Sequence, residues 1–164
     1  KARPEGPLNA GPSPEPPRLS FERKGSVRLD RKKHPLFVKK TVDAAGPGAI
    51  RVAYEIRNES RDAFSFYFGV EFNFSIGELS LAAGATESHV LSRTFKDAWR
   101  ELEIRLSSDE EVLMHAVGLE TVSGSEGGLE GTFQQVAVLF QRKITFLGHD
   151  TVKQTFTLEV LKKA

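Results

Sequence analysis

From Phe21 onward, hydrophobic and polar residues alternate with a period of two. In "AIRVAYEIRNES", Ile50, Val52, Tyr54 and Ile56 fall on one face, and Arg51, Glu55 and Arg57 on the other. In "AFSFYFGVEFNFSI", Phe64, Phe66, Phe68, Val70, Phe72 and Phe74 share a face, opposed by Ser65, Tyr67, Gly69, Glu71 and Asn73. Such alternation predicts strands with one buried face. Asn58-Glu59-Ser60-Arg61-Asp62 reads as a turn, so the pair predicts a β-hairpin. "SHVLSRTF" is a weaker strand signal. "RELEIRLS" offers Leu102, Ile104 and Leu106 to a core, and "EVLMHAVGL", "TFQQVAVLFQ" and "KQTFTLEVLKK" follow. Breaks are expected at Gly77, Gly84, Ser107-Ser108-Asp109, Gly127-Gly128 and Gly148-His149-Asp150. No segment sustains a helical period; "KDAWRELEI" offers at most one turn before extending. Many short strands without helices predict an all-β, antiparallel sandwich or barrel, and there is no internal repeat.

Residues 1–19 break this pattern. Pro4, Pro7, Pro12, Pro14, Pro16 and Pro17 are interleaved with glycine, and almost nothing is apolar. Such a segment buries too little surface to offset its ordering entropy, so a disordered or extended linker is expected. Residues 20–164 then form one domain. The first residue is Lys rather than Met, which suggests a fragment or a processed product.

Charge changes the picture mainly by exclusion. The 164 residues carry 23 basic and 22 acidic side chains, well mixed, for a net charge of +1. That balance disfavours duplex nucleic acid or an anionic membrane as a partner. The short basic cluster Arg31-Lys32-Lys33-His34, with Lys39-Lys40, reads as a solvated turn and strand end. With no cysteine, disulfides, thiolate metal sites and a cysteine nucleophile are ruled out, which fits a cytoplasmic protein. No apolar run approaches a membrane span.

The stretch "ETVSGSEGGLEGTFQQVAVLF", Glu120 to Phe140, begins too polar and glycine-rich for a core strand and ends as one. It resembles a signature in the C-terminal domain of glycoside hydrolase family 57 alpha-amylases and 4-alpha-glucanotransferases. "VAYEIRNES", "FGVEFNFSI", "FERKGSV" and "PLFVKK" are similar to other strands of that domain, so the resemblance covers most of residues 20–164. It departs at Leu129, where an aromatic residue is expected, at Phe133 (a tyrosine) and at Gln135 (a glycine). It implies a twisted double-sheet supersandwich of the galactose-mutarotase-like type, attached to a catalytic (β/α) barrel, in the same or a separate chain, that acts on alpha-glucan. The catalytic carboxylates of such enzymes, about 5–5.5 Å apart in retaining glycosidases, are implied to lie on the barrel. Nothing here resembles repeated strand–helix units, so no catalytic residue is assigned.

The remaining polar groups are read residue by residue. Glu71, Glu120, Glu126 and Glu130 are candidate acid–base groups, and a histidine beside a carboxylate would suit mutarotation. His34, His89, His115 and His149 show no clustered spacing and read as surface or strand-end residues. No spacing suits a metal, and no cofactor is expected. Glu71 and Asn73 are expected on a polar face, bonding a neighbouring strand or meeting sugar or barrel. Thr121, Ser123 and Ser125 alternate, and Gly127-Gly128 allows a positive-φ turn. Glu126 and Gln134 can complete a hydrogen-bonded corner that presents the loop to the barrel or its substrate cleft. Trp99 reads as half-buried packing or as a stacking platform for a pyranose.

The leading expectation is a noncatalytic accessory domain of an alpha-amylase- or 4-alpha-glucanotransferase-like protein, with Glu71, Asn73, Trp99, Thr121, Ser123, Glu126 and Gln134 contacting carbohydrate or barrel. The alternatives are an independent carbohydrate-binding module, an aldose-epimerase-like enzyme and a general interaction sandwich.

Overall fold

The computed structural model describes residues 17–76, 85–125 and 127–162. Its described elements are eight antiparallel strands: β1 (Arg18–Leu29), β2 (Lys32–Gly46), β3 (Ala49–Asn58), β4 (Phe64–Phe74), β5 (Ala85–Asp97), β6 (Leu102–Ser125), β7 (Gly128–Phe146) and β8 (Thr151–Lys162). They are hydrogen-bonded in the order β1-β2-β3-β8-β6-β7-β4, with β5 on the other edge of β6. β1 begins at Arg18, inside the segment expected as linker. "FERKGSV" and "PLFVKK" lie in β1 and β2, and the basic cluster includes the turn between them. Gly77 and Gly84 lie outside the described residues.

β6 makes two layers out of one hydrogen-bonded sheet. One edge pairs with β8 over Leu102–Ser108 and with β7 over Leu113–Ser125. The break expected at Ser107-Ser108-Asp109 is therefore a crossing between layers, because local polar side chains hold the passing strand. Gln154, fully buried on β8, donates to Ser108 Oγ (2.8 Å) and Asp109 Oδ1 (2.7 Å), and its Oε1 accepts from Arg142 (2.8 Å). Asp109 Oδ1 also accepts from the backbone N–H of Thr155 (2.8 Å).

The core fills the space between β1-β2-β3-β8 and β4-β7-β6. Phe95, Leu106, Met114, Val136, Val138, Phe140 and Phe156 are buried together, and Leu36, Ile56, Ile144 and Phe146 form a second cluster. Ring contacts cross the layers: Tyr54 to Phe68 (5.2 Å) and Phe72 to Phe156 (5.8 Å). The expected β3–β4 hairpin is corrected here, since β3 pairs with β2 and β8, and β4 with β7. Their apolar stripes meet across the core, so residues 59–63 form a corner between layers.

Asn58 builds that corner. Its carboxamide is fully buried and donates to the carbonyls of Asp62 (2.7 Å) and Leu147 (3.0 Å). Its Oδ1 accepts from the N–H (2.9 Å) and Oγ (2.8 Å) of Ser60. Backbone bonds add Asn58 N–H to the Asp150 carbonyl and His149 N–H to the Ser60 carbonyl, both 2.8 Å. Gly148 sits so close that a Cβ there would lie 2.6 Å from the Arg61 carbonyl oxygen. His34, expected at the surface, is buried beside this corner with its ring 4.3 Å from that of Phe64. Its position on the core-facing side of β2 places it under the β4 aromatics.

The corner generates two predictions. Asn58→Ala strands two carbonyls and a Ser60 N–H, so unfolding free energy should fall by about 2–4 kcal/mol. Urea denaturation measures this. Two carboxyls at the same end are also held below their ordinary range, Glu59 by its hydrogen bond from Arg57 and Asp62 by that from Lys32. Both ionise more readily folded than unfolded. Their contribution is thus complete above ordinary carboxylate pKa values and disappears as pH falls through the lower, folded values. A Glu59→Gln/Asp62→Asn variant should lose slightly less stability than the native chain between about pH 6 and about pH 3, a small difference because both groups are partly exposed. Thermal midpoints across that range test it.

Candidate contact site at the open end of the sandwich

At the end away from Asn58, the layers lose their mutual cover. On β3, Ile50 shares the core-facing side with Val52, Tyr54 and buried Ile56, yet it is exposed. Register places Leu19 of β1 opposite Val42 and Phe21 opposite Lys40 on that same side, where Phe21, level with Tyr54, is 56% exposed because β1 is the edge strand. Val160 of β8, opposite Ile104, is exposed too.

The other layer extends here as a two-stranded ribbon. β6 and β7 stay paired to Ser125 and Gly128, and Gly128 takes a φ of 124° at the turn. Glu120–Ser125, expected as a corner, is thus mostly ribbon, and this accounts for its polarity: both faces of Thr121–Gly124 are exposed. The register shifts between Leu119 and Glu120, so Gln134 has no direct partner and forms a bulge. Beyond the bulge Phe133, which packs against the core, shares a face with Leu129, and Val122 stands opposite Gly131 on that face. Leu129 is 83% exposed, and Val122 is exposed as well.

Between these edges lies the turn from β5 to β6. Buried Asp97 accepts through Oδ1 from the N–H groups of Trp99 (3.1 Å) and Arg100 (2.9 Å), and through Oδ2 from the Arg100 guanidinium (2.7 Å). The guanidinium also donates to the Ser75 carbonyl (2.9 Å) and lies 5.5 Å from the Trp99 ring centroid. Trp99 is 86% exposed, which overturns half-buried packing. The Asx-type turn leaves its indole no neighbouring strand to lie on.

These groups border a cleft of about 220 Å³ lined by Ser75, Ile76, Trp99, Arg100, Phe133 and Gln134. Gln134 Nε2 donates to Thr121 Oγ1 (3.0 Å) and to the Thr132 carbonyl (3.3 Å). A neighbouring hollow of about 230 Å³ shares Ser75, Ile76, Asp97 and Arg100 and reaches Asn73. Asn73 donates to Glu71 Oε1 (2.9 Å) and accepts from Gln135 Nε2 (3.4 Å) on the exposed face of β4. Trp99, Gln134, Thr121 and Asn73 are thereby brought to one neighbourhood, with Glu71 behind Asn73. Ser123 lies further out on the ribbon, and Glu126 lies outside the described residues. Asp97 and Arg100 were missed by sequence reasoning. An Asp two residues before Trp99 and three before Arg100 is the turn signal that points to them. Glu120 and Glu130 are exposed on the ribbon. Among the described residues, no group of three or more His, Cys, Asp or Glu is placed to hold a metal ion, and no helix is long and apolar enough to cross a membrane.

The architecture defines an antiparallel β-sandwich domain with an aromatic and polar cleft at its uncovered end. The chain belongs to the alpha-amylase/4-alpha-glucanotransferase C-terminal domain family, whose model matches residues 13–156. In fold it is similar to the 4-alpha-glucanotransferase of Thermococcus litoralis, at 20% identity and a TM-score of 0.68, over 88% of this chain and 21% of that one. It is also similar to the Slr1438 protein of Synechocystis sp. PCC 6803, at 11% identity and a TM-score of 0.59, over 93% of this chain and 64% of that one. The chain thus spans about one fifth of the length of that glucanotransferase. No curated protein matches it in sequence.

Asp97→Ala should free the Trp99–Arg100 turn by removing acceptors for two N–H groups and a guanidinium, at a cost of about 2–3 kcal/mol. Trp99 is the one tryptophan, so its fluorescence anisotropy reports the turn directly. Lower anisotropy in the folded variant is expected.

Proposed function

We propose that this domain is a noncatalytic accessory sandwich of a family 57-type alpha-glucan enzyme, cytoplasmic, which packs its uncovered end against a catalytic (β/α) barrel. The observation that carries this reading is the exposure of core-facing apolar residues from both layers toward the end away from Asn58: Ile50 and Val160 from one, Val122 and Leu129 from the other, with Trp99 on the β5–β6 turn. Exposed apolar surface gathered on one site favours association, and aromatic residues commonly anchor such contacts. Membership of the alpha-amylase/4-alpha-glucanotransferase C-terminal domain family supports a catalytic domain as the partner. Within that assembly the Trp99–Gln134 cleft, with its indole face, guanidinium and carboxamide, meets alpha-glucan at the border of the barrel. The chain's lack of cysteine suits a reducing compartment.

A direct test mixes the chain with the catalytic barrel of an alpha-amylase or 4-alpha-glucanotransferase of this family. The native domain should bind and raise the barrel's thermal midpoint. Val160→Ser, Ile50→Ser and Trp99→Ser should each bind about tenfold more weakly or worse, while leaving the domain's own midpoint nearly unchanged because the side chains are exposed. Undiminished binding by all three variants would sink the reading.

A further inference from the structure

A second feature lies on the opposite side of the β4-β7-β6-β5 sheet, facing away from the core. Along β4 the residues between the core phenylalanines point outward, and Ser65 bonds Thr145 across the strands (2.9 Å). Tyr67 stands directly opposite Lys143, and Gly69 opposite Gln141. Next comes Leu113 of β6, opposite Gln141 on the other side of β7. β5 closes the row. A groove of about 590 Å³ crosses all four strands here, bordered by Tyr67, His89, Glu110, Glu111, Gln141 and Lys143. Its size suits a bound small molecule or a few sugar rings.

Three details mark this groove as more than a solvated face. Tyr67 is 63% exposed, a large ring that nothing covers. Beside it Gly69 contributes no side chain, and the Leu139 side chain folds over it, 2.9 Å from where a Cβ would stand. On that side of the ring no β4 side chain rises, and only the short Ser65 stands on the other. His89 is a non-glycine residue at a φ of 58°, in the stretch where the β5–β6 register shifts. Such a backbone is uncommon and re-aims a side chain. Here it delivers the imidazole Nδ1 to Glu111 Oε2 at 2.7 Å, which fixes the ring and leaves Nε2 to meet a ligand.

The chemistry selects a ligand class. The groove's borders mix the carboxylates of Glu110 and Glu111 with the ammonium of Lys143. Charges of both signs in one groove favour neither an anion nor a cation. They do supply donors and acceptors for hydroxyl groups, beside an aromatic face for C–H surface. We infer that this outer groove is a binding subsite for a neutral oligosaccharide, with Tyr67 as the stacking platform and His89, Glu111, Gln141 and Lys143 as hydroxyl partners. That the sugar is alpha-glucan rests on the functional reading above. The groove is separate from the Trp99–Gln134 cleft, so the domain offers glucan one contact on its outer face and another at its docking end.

The test is a backbone-amide NMR titration of the full chain with maltoheptaose and, separately, cellopentaose, repeated on Tyr67→Thr and Glu111→Gln. Threonine keeps strand propensity, and the exposed positions leave the fold intact, which amide spectra verify. The expected result is saturable shifts centred on Tyr67, His89 and Gln141 with maltoheptaose, about tenfold weaker in Tyr67→Thr and weakened to a lesser degree in Glu111→Gln. The same groove shifts with cellopentaose alone would uphold the saccharide subsite and overturn the alpha-glucan reading. Shifts confined to Trp99 and Gln134, unchanged by Tyr67→Thr, would overturn the subsite and leave the accessory reading standing. No shifts at millimolar concentrations of either sugar would likewise overturn the subsite, while barrel docking still tests the accessory role by itself.

Discussion

The Asn58 carboxamide is buried where no solvent reaches it, so both its N–H groups and both lone-pair directions must find protein. They do, and their partners come from the residues that have to meet if the sandwich is to close: Ser60 and Asp62 of the corner, and Leu147 of the β7–β8 connection. β3 and β4 belong to different layers, and β7 and β8 do as well. One side chain therefore fixes two layer crossings at once. A buried amide left half-satisfied would cost more than an apolar replacement, so the corner tolerates little variation in geometry. The close approach of Gly148 to Arg61 belongs to the same constraint.

That rigidity gives the rest of the fold its asymmetry. From the Asn58 corner the layers diverge along strands that twist, and β6 is the second element joining them. Between these joints Phe140 and Phe156 are buried with their ring centroids 6.1 Å apart. Beyond them, toward Ile50, Val160, Val122 and Leu129, the core-facing stripes continue in sequence but lose their cover. A period-two pattern that outruns its own sandwich leaves apolar surface in water at a cost of about 25 cal/mol per Å². Such surface is more economically explained by something that covers it than by the needs of the isolated domain.

The alternation identified which residues face the core, and it did so well for Ile56, Phe74 and Leu106. It could not identify neighbours. Period two specifies a face; the partner strand is specified by long-range packing and turn chemistry. The hairpin reading of residues 50–74 failed for this reason: Asn58 looks like a turn residue by composition, and its role depends on Leu147, 89 positions away. Ser107-Ser108-Asp109 failed in the same way, because hydroxyl and carboxylate groups that usually end a strand here bond Gln154 and Thr155 and carry the strand onward. At the candidate site, Trp99, Thr121 and Gln134 were legible individually. Their meeting depends on the bulge at Gln134 and on the Asp97 turn, and neither has a periodic signature.

The two faces of the β4-β7 sheet obey different rules, and this bears on how such a domain acquires function. Its inner face is committed to Phe72, Val138 and Phe140, where the loss of a methylene is felt throughout a close-packed interior. Its outer face carries Tyr67, Lys143, Gln141, Glu71 and Asn73 on the same backbone, with their polar ends in water. Substitutions there leave the core intact, so recognition groups can be assembled without disturbing the layer beneath. The strand that supplies the core aromatics also holds the outward ring of Tyr67 at a fixed height and spacing from Gln141 and Lys143. Rigid placement of a few polar groups around one uncovered ring is the condition under which weak hydroxyl contacts add up to selective binding.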